Sequence, residues 1–163
     1  MMLDILLATV VYASTKPPAV VGGGYHSQSM VGYEPSAYTG KYYKRSGGKQ
    51  SEAYRKCVLV RESEAHYGAR PEFASAAGGY QWLRPWYHAL PFMLHHELVH
   101  MYGKREADRI RDTLLRIGIP KYSRFYQDMA FYTVLSYEHK FSGAKHWYGG
   151  RWTCTPGMKH WSR

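Results

Sequence analysis

Glu62 follows directly on an apolar turn of a predicted helix, in the stretch CVLVRES that begins at Cys57. Apolar surroundings disfavour the charged form of a carboxyl group and keep it protonated near neutral pH. Glycoside cleavage needs a carboxylic acid in that state, because a proton must pass to the leaving oxygen of the broken bond. A glutamate near a helix end is also often a plain surface charge, so its neighbours have to decide between a catalytic and a solvated role.

The loop after this helix contains residues that suit a sugar-binding cleft. Residues 75–82, SAAGGYQW, begin with five small side chains that would let a glycan approach the backbone. Gln81 offers an amide that both donates and accepts hydrogen bonds. Tyr80, Trp82 and Trp86 offer aromatic faces on which sugar rings could stack. We therefore predict that these four side chains bind a glycan, with the preceding glutamate as the acid.

A second group of residues, HELVH, has the spacing of a zinc site. His96 and His100 are four positions apart and share one face of a helix, where both could bind zinc. Glu97 would then be the general base, as in zinc metallopeptidases. The third ligand would be Glu106, Asp108, Glu138 or His139. Short motifs arise by chance in a chain with nine histidines, so zinc binding is kept as an alternative to a site without a cofactor.

The composition indicates a partner of negative charge. The 163 residues carry a formal net charge of +10, which favours binding to nucleic acid, anionic lipid or an anionic cell wall. Sixteen tyrosines and five tryptophans are more than a core of this size needs, so some of them should be exposed. The chain contains no GxGxxG, Walker or GxSxG motif, which argues against nucleotide-dependent enzymes and serine hydrolases.

The two cysteines, Cys57 and Cys154, are compatible with one disulfide or with two buried thiols. A bridge between them would close most of the second half of the chain. In the chain-entropy model such a long loop contributes roughly 4 kcal/mol of stability. No CxxC pair is present, so the cysteines do not indicate a zinc site.

Residues 1–50 differ in composition from the rest of the chain. Residues 1–13 contain a short apolar run, which is either a secretion signal cleaved after Ala13 or a segment that docks on the body or on another subunit. The run is too short to span a bilayer. Residues 14–50 are rich in Gly, Ser, Pro and Tyr without helical periodicity, which predicts a flexible basic arm.

Residues 51–163 are predicted to form one domain with an α+β fold that is mainly α, with a small hairpin region. A first helix should begin after Ser51, end around residues 65–68 and lead into a loop or hairpin. A second helix should stop near Gly103, and an amphipathic third helix should stop at Gly118. A fourth helix should follow Ser123, and the remaining tail should be irregular.

Taken in order, these motifs resemble the lysozyme-like superfamily, in particular the transglycosylase-like domains of resuscitation-promoting factors and of actinobacterial phage lysins. The likeness rests on C-x-x-x-R-E-S with Y-x-A, then SAAGGYQW, then FYQDMAFYTVL and HWYGGRWTC, and it covers residues 51–154. It implies a lysozyme-like fold. The site residues that it implies are the general acid Glu62, the cleft residues Gln81, Tyr80 and Trp82, and a disulfide between Cys57 and Cys154.

Two features of the chain depart from the family's pattern. The segment 86–120 is longer than in small members, and the family has no fixed HELVH. Glu72 lies ten residues after Glu62, at about the spacing where phage-type lysozymes place an aspartate. If Glu72 faces Glu62, it would position an attacking water. If it does not, the sugar's own 6-hydroxyl would attack and leave a 1,6-anhydro product, which is the outcome that we favour.

The sequence therefore predicts a peptidoglycan-cleaving glycosidase, either a lytic transglycosylase or a lysozyme, that acts on the β-1,4 bond between N-acetylmuramic acid and N-acetylglucosamine. We expect it outside the cell or in a phage virion, facing the bacterial wall, with glycan strands as its partner and no cofactor. No membrane span is predicted, and the N-terminal arm would contact virion proteins or further copies of the chain. The alternatives are a zinc metallopeptidase and a non-catalytic virion protein that binds cell wall or nucleic acid.

Overall fold

Five α-helices build most of the part of the chain that the structure describes. The computed structural model describes residues 16–22, 34–70, 75–149 and 152–161. The helices run over Lys41–Arg45 (α1), Glu52–Ser63 (α2), Arg84–Tyr102 (α3), Lys104–Ile117 (α4) and Arg124–Leu135 (α5), with short 3₁₀ helices at Gly48–Ser51, Ile119–Lys121 and Ala144–Trp147. The predicted helix starts after Ser51 and Ser123 and the predicted stops at Gly103 and Gly118 are confirmed, and the fold is mainly helical. α2 ends at Ser63, before the predicted end around residues 65–68, because Glu64 turns the backbone to a positive φ. Within the described ranges, no helix is both long and apolar enough to cross a membrane.

α3 and α4 form a packed pair that is joined by a single residue, Gly103. This glycine has a φ of +81°, a conformation that side chains other than glycine rarely adopt. On α4, Ala107, Ile110 and Leu114 are fully buried, three or four positions apart, as the amphipathic pattern predicts. One face of α4 therefore covers the core, and its charged face remains in solvent.

α5 is the buried centre of the fold. Every residue in the range 126–135 is buried, including the polar side chains of Gln127 and Asp128. A helix that is buried all round must pair such groups internally, because an unpaired polar group away from water is costly. Gln127 accepts the Gly79 N–H at 2.8 Å and donates to the Tyr67 carbonyl at 2.7 Å. These bonds hold the loop segments that follow α2 against the central helix.

Arg55 of α2 and Asp128 of α5 form a fully buried ion pair, with 3.6 Å between Nη1 and Oδ1. The hydroxyls of Tyr67 and Tyr80 bridge the two charges. Each hydroxyl donates to Asp128 Oδ1 at 2.6 Å and accepts from Arg55 Nη1 at 3.2 Å. Glu52 accepts from the other guanidinium nitrogens of Arg55. A buried pair is tolerated only when such further hydrogen bonds satisfy both ions.

Cys57 and Cys154 form a disulfide, which confirms the pairing implied by the resemblance. Their Cα atoms are 5.8 Å apart, and the two residues are separated by 97 positions in the sequence. The bond connects the middle of α2 to the irregular C-terminal segment. It therefore fixes that segment beside the end of α2 that carries Glu62.

The predicted hairpin is reduced to a tight turn. Ala77 and Trp82 form one isolated antiparallel bridge, with N–H to carbonyl distances of 2.9 and 2.8 Å. A second isolated bridge pairs Val21 with Tyr122. The described residues contain no longer strand, so the β part of the α+β expectation is limited to these bridges. Small residues and glycines, which have low strand propensity, dominate the turn.

Part of the predicted N-terminal arm belongs to the folded body. Tyr38 and Tyr42 are buried, and the stretch KYYKR forms α1. Burial of large aromatic rings offsets the conformational entropy that this Gly-rich and Ser-rich segment loses. The folded body thus includes residues 34–50, which lie on the arm side of the predicted boundary. The candidate secretion signal lies outside the described residues.

The buried tyrosines predict a loss of stability in alkaline solution. Burial raises the pKa of these phenols above the ordinary value of about 10. Below that pH the phenols are neutral in the folded and unfolded chains alike. Above it, the unfolded chain releases protons that the folded chain retains, so unfolding becomes more favourable. The fully buried tyrosines in the described ranges are Tyr38, Tyr54, Tyr67, Tyr80, Tyr122, Tyr126 and Tyr132.

We expect no contribution of these phenols to the pH dependence of the unfolding free energy between about pH 7 and 9. Above about pH 10 the unfolding free energy should fall by up to about 1.4 kcal/mol per pH unit for each buried phenol. Urea unfolding curves across this range measure the fall. Absorbance near 295 nm reports phenol ionisation in the same samples. Ionisation of every tyrosine at its ordinary pKa in the folded protein would contradict this prediction.

Replacement of both cysteines by alanine should lower the free energy of unfolding by about 2–5 kcal/mol, because the unfolded chain gains the freedom of a long open loop. Denaturant unfolding of C57A/C154A against the oxidised parent measures the difference. The reduced parent is the matched control, since it lacks the bond but keeps both side chains. Equal unfolding midpoints for the oxidised and reduced parent would contradict this expectation.

Candidate functional site

Glu62 lies in the last turn of α2, where its side chain remains 25% exposed. Its Oε1 accepts two hydrogen bonds from Arg61, one from Nε at 3.0 Å and one from Nη2 at 2.8 Å. Among the described residues, Oε2 has no hydrogen-bond partner. The carboxyl group is thus oriented through one oxygen by a guanidinium, which differs from the purely apolar surroundings that the sequence predicted.

Arg61 is the residue that fixes this orientation. Its side chain is only 2% exposed. Nη1 donates to the Trp152 carbonyl at 3.2 Å, and Nη2 donates to the Trp147 carbonyl. The sequence motifs do not indicate this role for Arg61. The sequence nevertheless contains a signal for it, which is an arginine between an apolar turn and an acid. A guanidinium that is buried in such a position must be surrounded by hydrogen-bond acceptors.

A turn formed by residues 78–82 lies against the C-terminal end of α2. The Ser63 hydroxyl donates to the Gly79 carbonyl at 2.7 Å and to the Leu59 carbonyl at 3.0 Å. A Cβ atom added at Gly79 would lie 2.7 Å from Leu59 Cδ1, so a larger residue there would displace the Leu59 side chain. Gln81 is half-buried and donates from Nε2 to the Gly78 carbonyl at 2.9 Å. The structure therefore places the predicted Gln81 on a turn bonded to the residue after Glu62.

Tyr80 and Trp82 are core residues, which corrects the expectation that they present faces to a glycan. Tyr80 is fully buried, and its ring stacks on Phe131 with 4.6 Å between centroids. Trp82 is 2% exposed and packs edge-to-face against Trp147 at 5.3 Å. In a small helical domain, the largest aromatic rings are needed to fill the centre. Their part in the site is to hold the backbone of the turn.

Trp86 keeps a partly exposed ring, as a sugar-stacking role requires. It packs edge-to-face on His146, with 4.8 Å between ring centroids. Both side chains line a cavity of about 150 Å³, together with Met93 and Lys145. Partial burial and the nearby charge of Lys145 lower the pKa of His146. This cavity thus combines an aromatic face with an imidazole whose pKa is lowered.

The second predicted carboxylate, Glu72, lies outside the described residues. Its role in positioning a water therefore stays a prediction. Glu64, the other acid close in sequence to Glu62, is exposed and ends α2 with a φ of +53°. In the part of the chain that the structure describes, Glu62 is the acid at this helix end that a buried guanidinium orients.

The HELVH motif has its histidines and its glutamate on different sides of α3. His96 and His100 are exposed, with 5.4 Å between ring centroids. Glu97 points inward and is buried, where it accepts the Tyr38 hydroxyl at 2.6 Å and the Lys41 N–H at 2.7 Å. It therefore stabilises the start of α1. In this arrangement Glu97 is not available as a base beside a metal on the two histidines.

Two of the four predicted third zinc ligands pair with basic side chains. Glu106 accepts hydrogen bonds from Arg109, which lower the pKa of its carboxyl group. Asp108 contacts Lys104 at 2.6 Å and His95 at 2.8 Å. Within the described ranges, no group of three His, Cys, Asp or Glu side chains lies close enough together to hold a metal ion.

The chain matches no model of a known protein family, no curated protein and no solved structure. The resemblance of its motifs to lysozyme-like domains therefore stays a hypothesis. The support for a function comes from the geometry around Glu62 and from the chemistry of the residues that surround it.

The contacts of Glu97 predict that it is a structural residue. Glu97→Ala should lower the free energy of unfolding by about 2–4 kcal/mol, because the Tyr38 hydroxyl and the first N–H of α1 lose a buried charged acceptor. His100→Ala is the matched control on the exposed side of the same turn, and it should change stability by less than about 0.5 kcal/mol. Urea unfolding measures both changes. Equal effects of the two substitutions would contradict this assignment.

Proposed function

We propose that this protein cleaves the β-1,4 bond between N-acetylmuramic acid and N-acetylglucosamine in peptidoglycan, with Glu62 as the general acid. The observation that carries the proposal is the pair of Arg61 and Glu62. A buried guanidinium holds one carboxylate oxygen, and the other oxygen has no partner among the described residues. A general acid must be fixed in direction and still within reach of its substrate. The hydrogen bonds from Arg61 fix the direction of the carboxyl group, and its 25% exposure keeps it within reach of a substrate.

The proposed chemistry uses the two oxygens of Glu62 differently. A proton on Oε2 passes to the glycosidic oxygen while the bond from that oxygen to C1 of the muramic acid breaks, and the bonding electron pair stays on the leaving oxygen. Glu62 is then a carboxylate, and Arg61 stabilises its charge through Oε1. C1 is next attacked by water or by the sugar's 6-hydroxyl, and the proton that this nucleophile loses passes to the Glu62 carboxylate and restores the acid. Glu72 would select between these nucleophiles.

The surroundings of Glu62 suit a polymeric sugar. The turn at residues 78–82 offers the Gln81 amide, and Trp86 offers a partly exposed ring. We propose that both contact the glycan on either side of the cleaved bond. The arrangement of an acid at a helix end beside a glycine-rich turn also supports a lysozyme-like fold for this mainly helical domain.

The charge and the disulfide support a place of action at the bacterial wall. A net charge of +10 attracts the protein to an anionic polymer of the cell surface. The Cys57–Cys154 disulfide persists in oxidising surroundings, which occur outside the cytosol and in virions outside the cell. We propose that the protein acts extracellularly or as part of a phage virion. The zinc peptidase has less support, because Glu97 accepts hydrogen bonds from the Tyr38 hydroxyl and the Lys41 N–H in the core.

Mass spectrometry of digested peptidoglycan tests this function. Glu62→Gln keeps the shape of the side chain but removes its acid, so it should lower the rate of glycan cleavage by at least about 100-fold. Anhydro-muropeptides from the parent would identify a transglycosylase. Reducing-end products would identify a hydrolase and direct attention to Glu72.

Glu64→Gln is the matched control, since it makes the same chemical change two residues away on the exposed end of the helix. It should retain activity within a few-fold of the parent. Glycan strands left intact by the parent would overturn the proposal. Cut peptide stems that persist in Glu62→Gln and disappear with a chelator would replace the proposal with the zinc peptidase.

A further inference from the structure

A cavity of about 270 Å³ lies beside the first turn of α3. Arg70, Arg84 and Tyr87 line it with their polar side chains, and Glu62 is not part of its lining. The rest of the lining is small or apolar and comes from two loops, the one before α3 and the one after α4. These residues are Ser75, Ala76, Ala77, Gly118 and Pro120.

Within the described part of the chain, the charged residues that line this cavity are Arg70 and Arg84, which have the same sign. None of the ion pairs in the described part of the chain includes Arg70 or Arg84. Burial raises the pKa of the Tyr87 hydroxyl, and the charges of both arginines oppose that rise. Both guanidinium groups therefore act on the same hydroxyl. Two cations at one concave surface repel each other, and an anion between them would relieve this repulsion.

We infer that this cavity binds an oxyanion of the cell-wall polymer, either a carboxylate or a phosphate. Two guanidinium groups supply forked donors that match both anions, and the hydroxyls of Tyr87 and Ser75 can donate as well. Arg84 and Tyr87 stand in the first turn of α3, the end at which the helix dipole is positive. Ala76 and Pro120 would contact the apolar part of the bound group.

The cavity and the proposed catalytic site share one loop. Residues 75–77 line the cavity, and the following residues form the turn that is bonded to Ser63 next to Glu62. A polymer bound at Glu62 could place an anionic branch in the cavity. The choice of the wall polymer as ligand rests on the function proposed above, whereas the anion site rests on the cavity alone. The anion would be a carboxylate of the peptide stem or a phosphate of teichoic acid.

Isothermal titration calorimetry of the full chain distinguishes these sources. The Glu62→Gln protein is used as the parent so that no ligand is consumed. Three ligands are compared: muropeptides that carry stems, glycan fragments stripped of stems, and purified wall teichoic acid. R70Q/R84Q removes both cations of the cavity. The matched control is K44Q/R105Q, which removes the same net charge from exposed positions on α1 and α4.

R70Q/R84Q should weaken binding of the anionic ligand by at least about tenfold and leave the stem-free glycan unchanged. A loss for stem-bearing muropeptides assigns a carboxylate, and a loss for teichoic acid assigns a phosphate. R70K/R84K should give an intermediate loss, because lysine keeps the charge but not the forked geometry. Circular dichroism and thermal unfolding of each variant establish that it is folded.

Equal binding by R70Q/R84Q and the parent would overturn the inference. An equal loss in K44Q/R105Q, or no binding of either anionic ligand to the parent, would overturn it as well. The outcome is separable from that of the proposed function. A protein that binds anions through Arg70 and Arg84 but cleaves no glycan would refute the function alone. An active enzyme that R70Q/R84Q leaves unchanged in binding would refute the anion site alone.

Discussion

The buried pair of Arg55 and Asp128 is the constraint on which most of the structure depends. Two opposite charges in the centre of a small domain are tolerated only when every remaining donor and acceptor is paired. The chain supplies these partners from several regions: Glu52 on α2, the hydroxyls of Tyr67 and Tyr80 after it, and the Glu34 carbonyl and Ala37 N–H before α1. The same set of hydrogen bonds therefore fixes both the packing of α2 on α5 and the course of the loop after α2.

The cluster around Arg55 and Asp128 anchors the elements that carry the candidate site. α2 leads from Arg55 to Arg61 and Glu62 within a single helix. The turn beside the site is anchored by Tyr80 in the core, and the C-terminal segment is anchored to α2 by the disulfide and by two carbonyls that accept from Arg61. An exposed glutamate at a frayed helix end would have no fixed direction. Here its carboxyl group is held by a side chain that is itself buried.

The motif HELVH shows why spacing alone does not establish a metal site. The pattern correctly places His96 and His100 on one face of a helix, because that relation is set by the helix period. The role of Glu97 depends on Tyr38, which is 59 positions away in the sequence. The Tyr38 hydroxyl donates a hydrogen bond to Glu97 in the core. Residues 34–50 had to fold onto α3 before that contact could exist. A local pattern carries no information about such a partner.

The sequence by itself determined the helix starts after Ser51 and Ser123, the stops at Gly103 and Gly118, the basic charge and the position of Glu62 after an apolar turn. These properties depend on residues within a few positions of one another, such as Ser51, Gly103 and Gly118. The tertiary structure decided that Tyr80 and Trp82 fill the core, that residues 34–50 belong to the body, and that Arg61 orients the acid. Each of these outcomes depends on burial against residues distant in the chain. Periodicity and composition show which type of side chain stands at each position. They do not show which side chains will surround it in the folded protein.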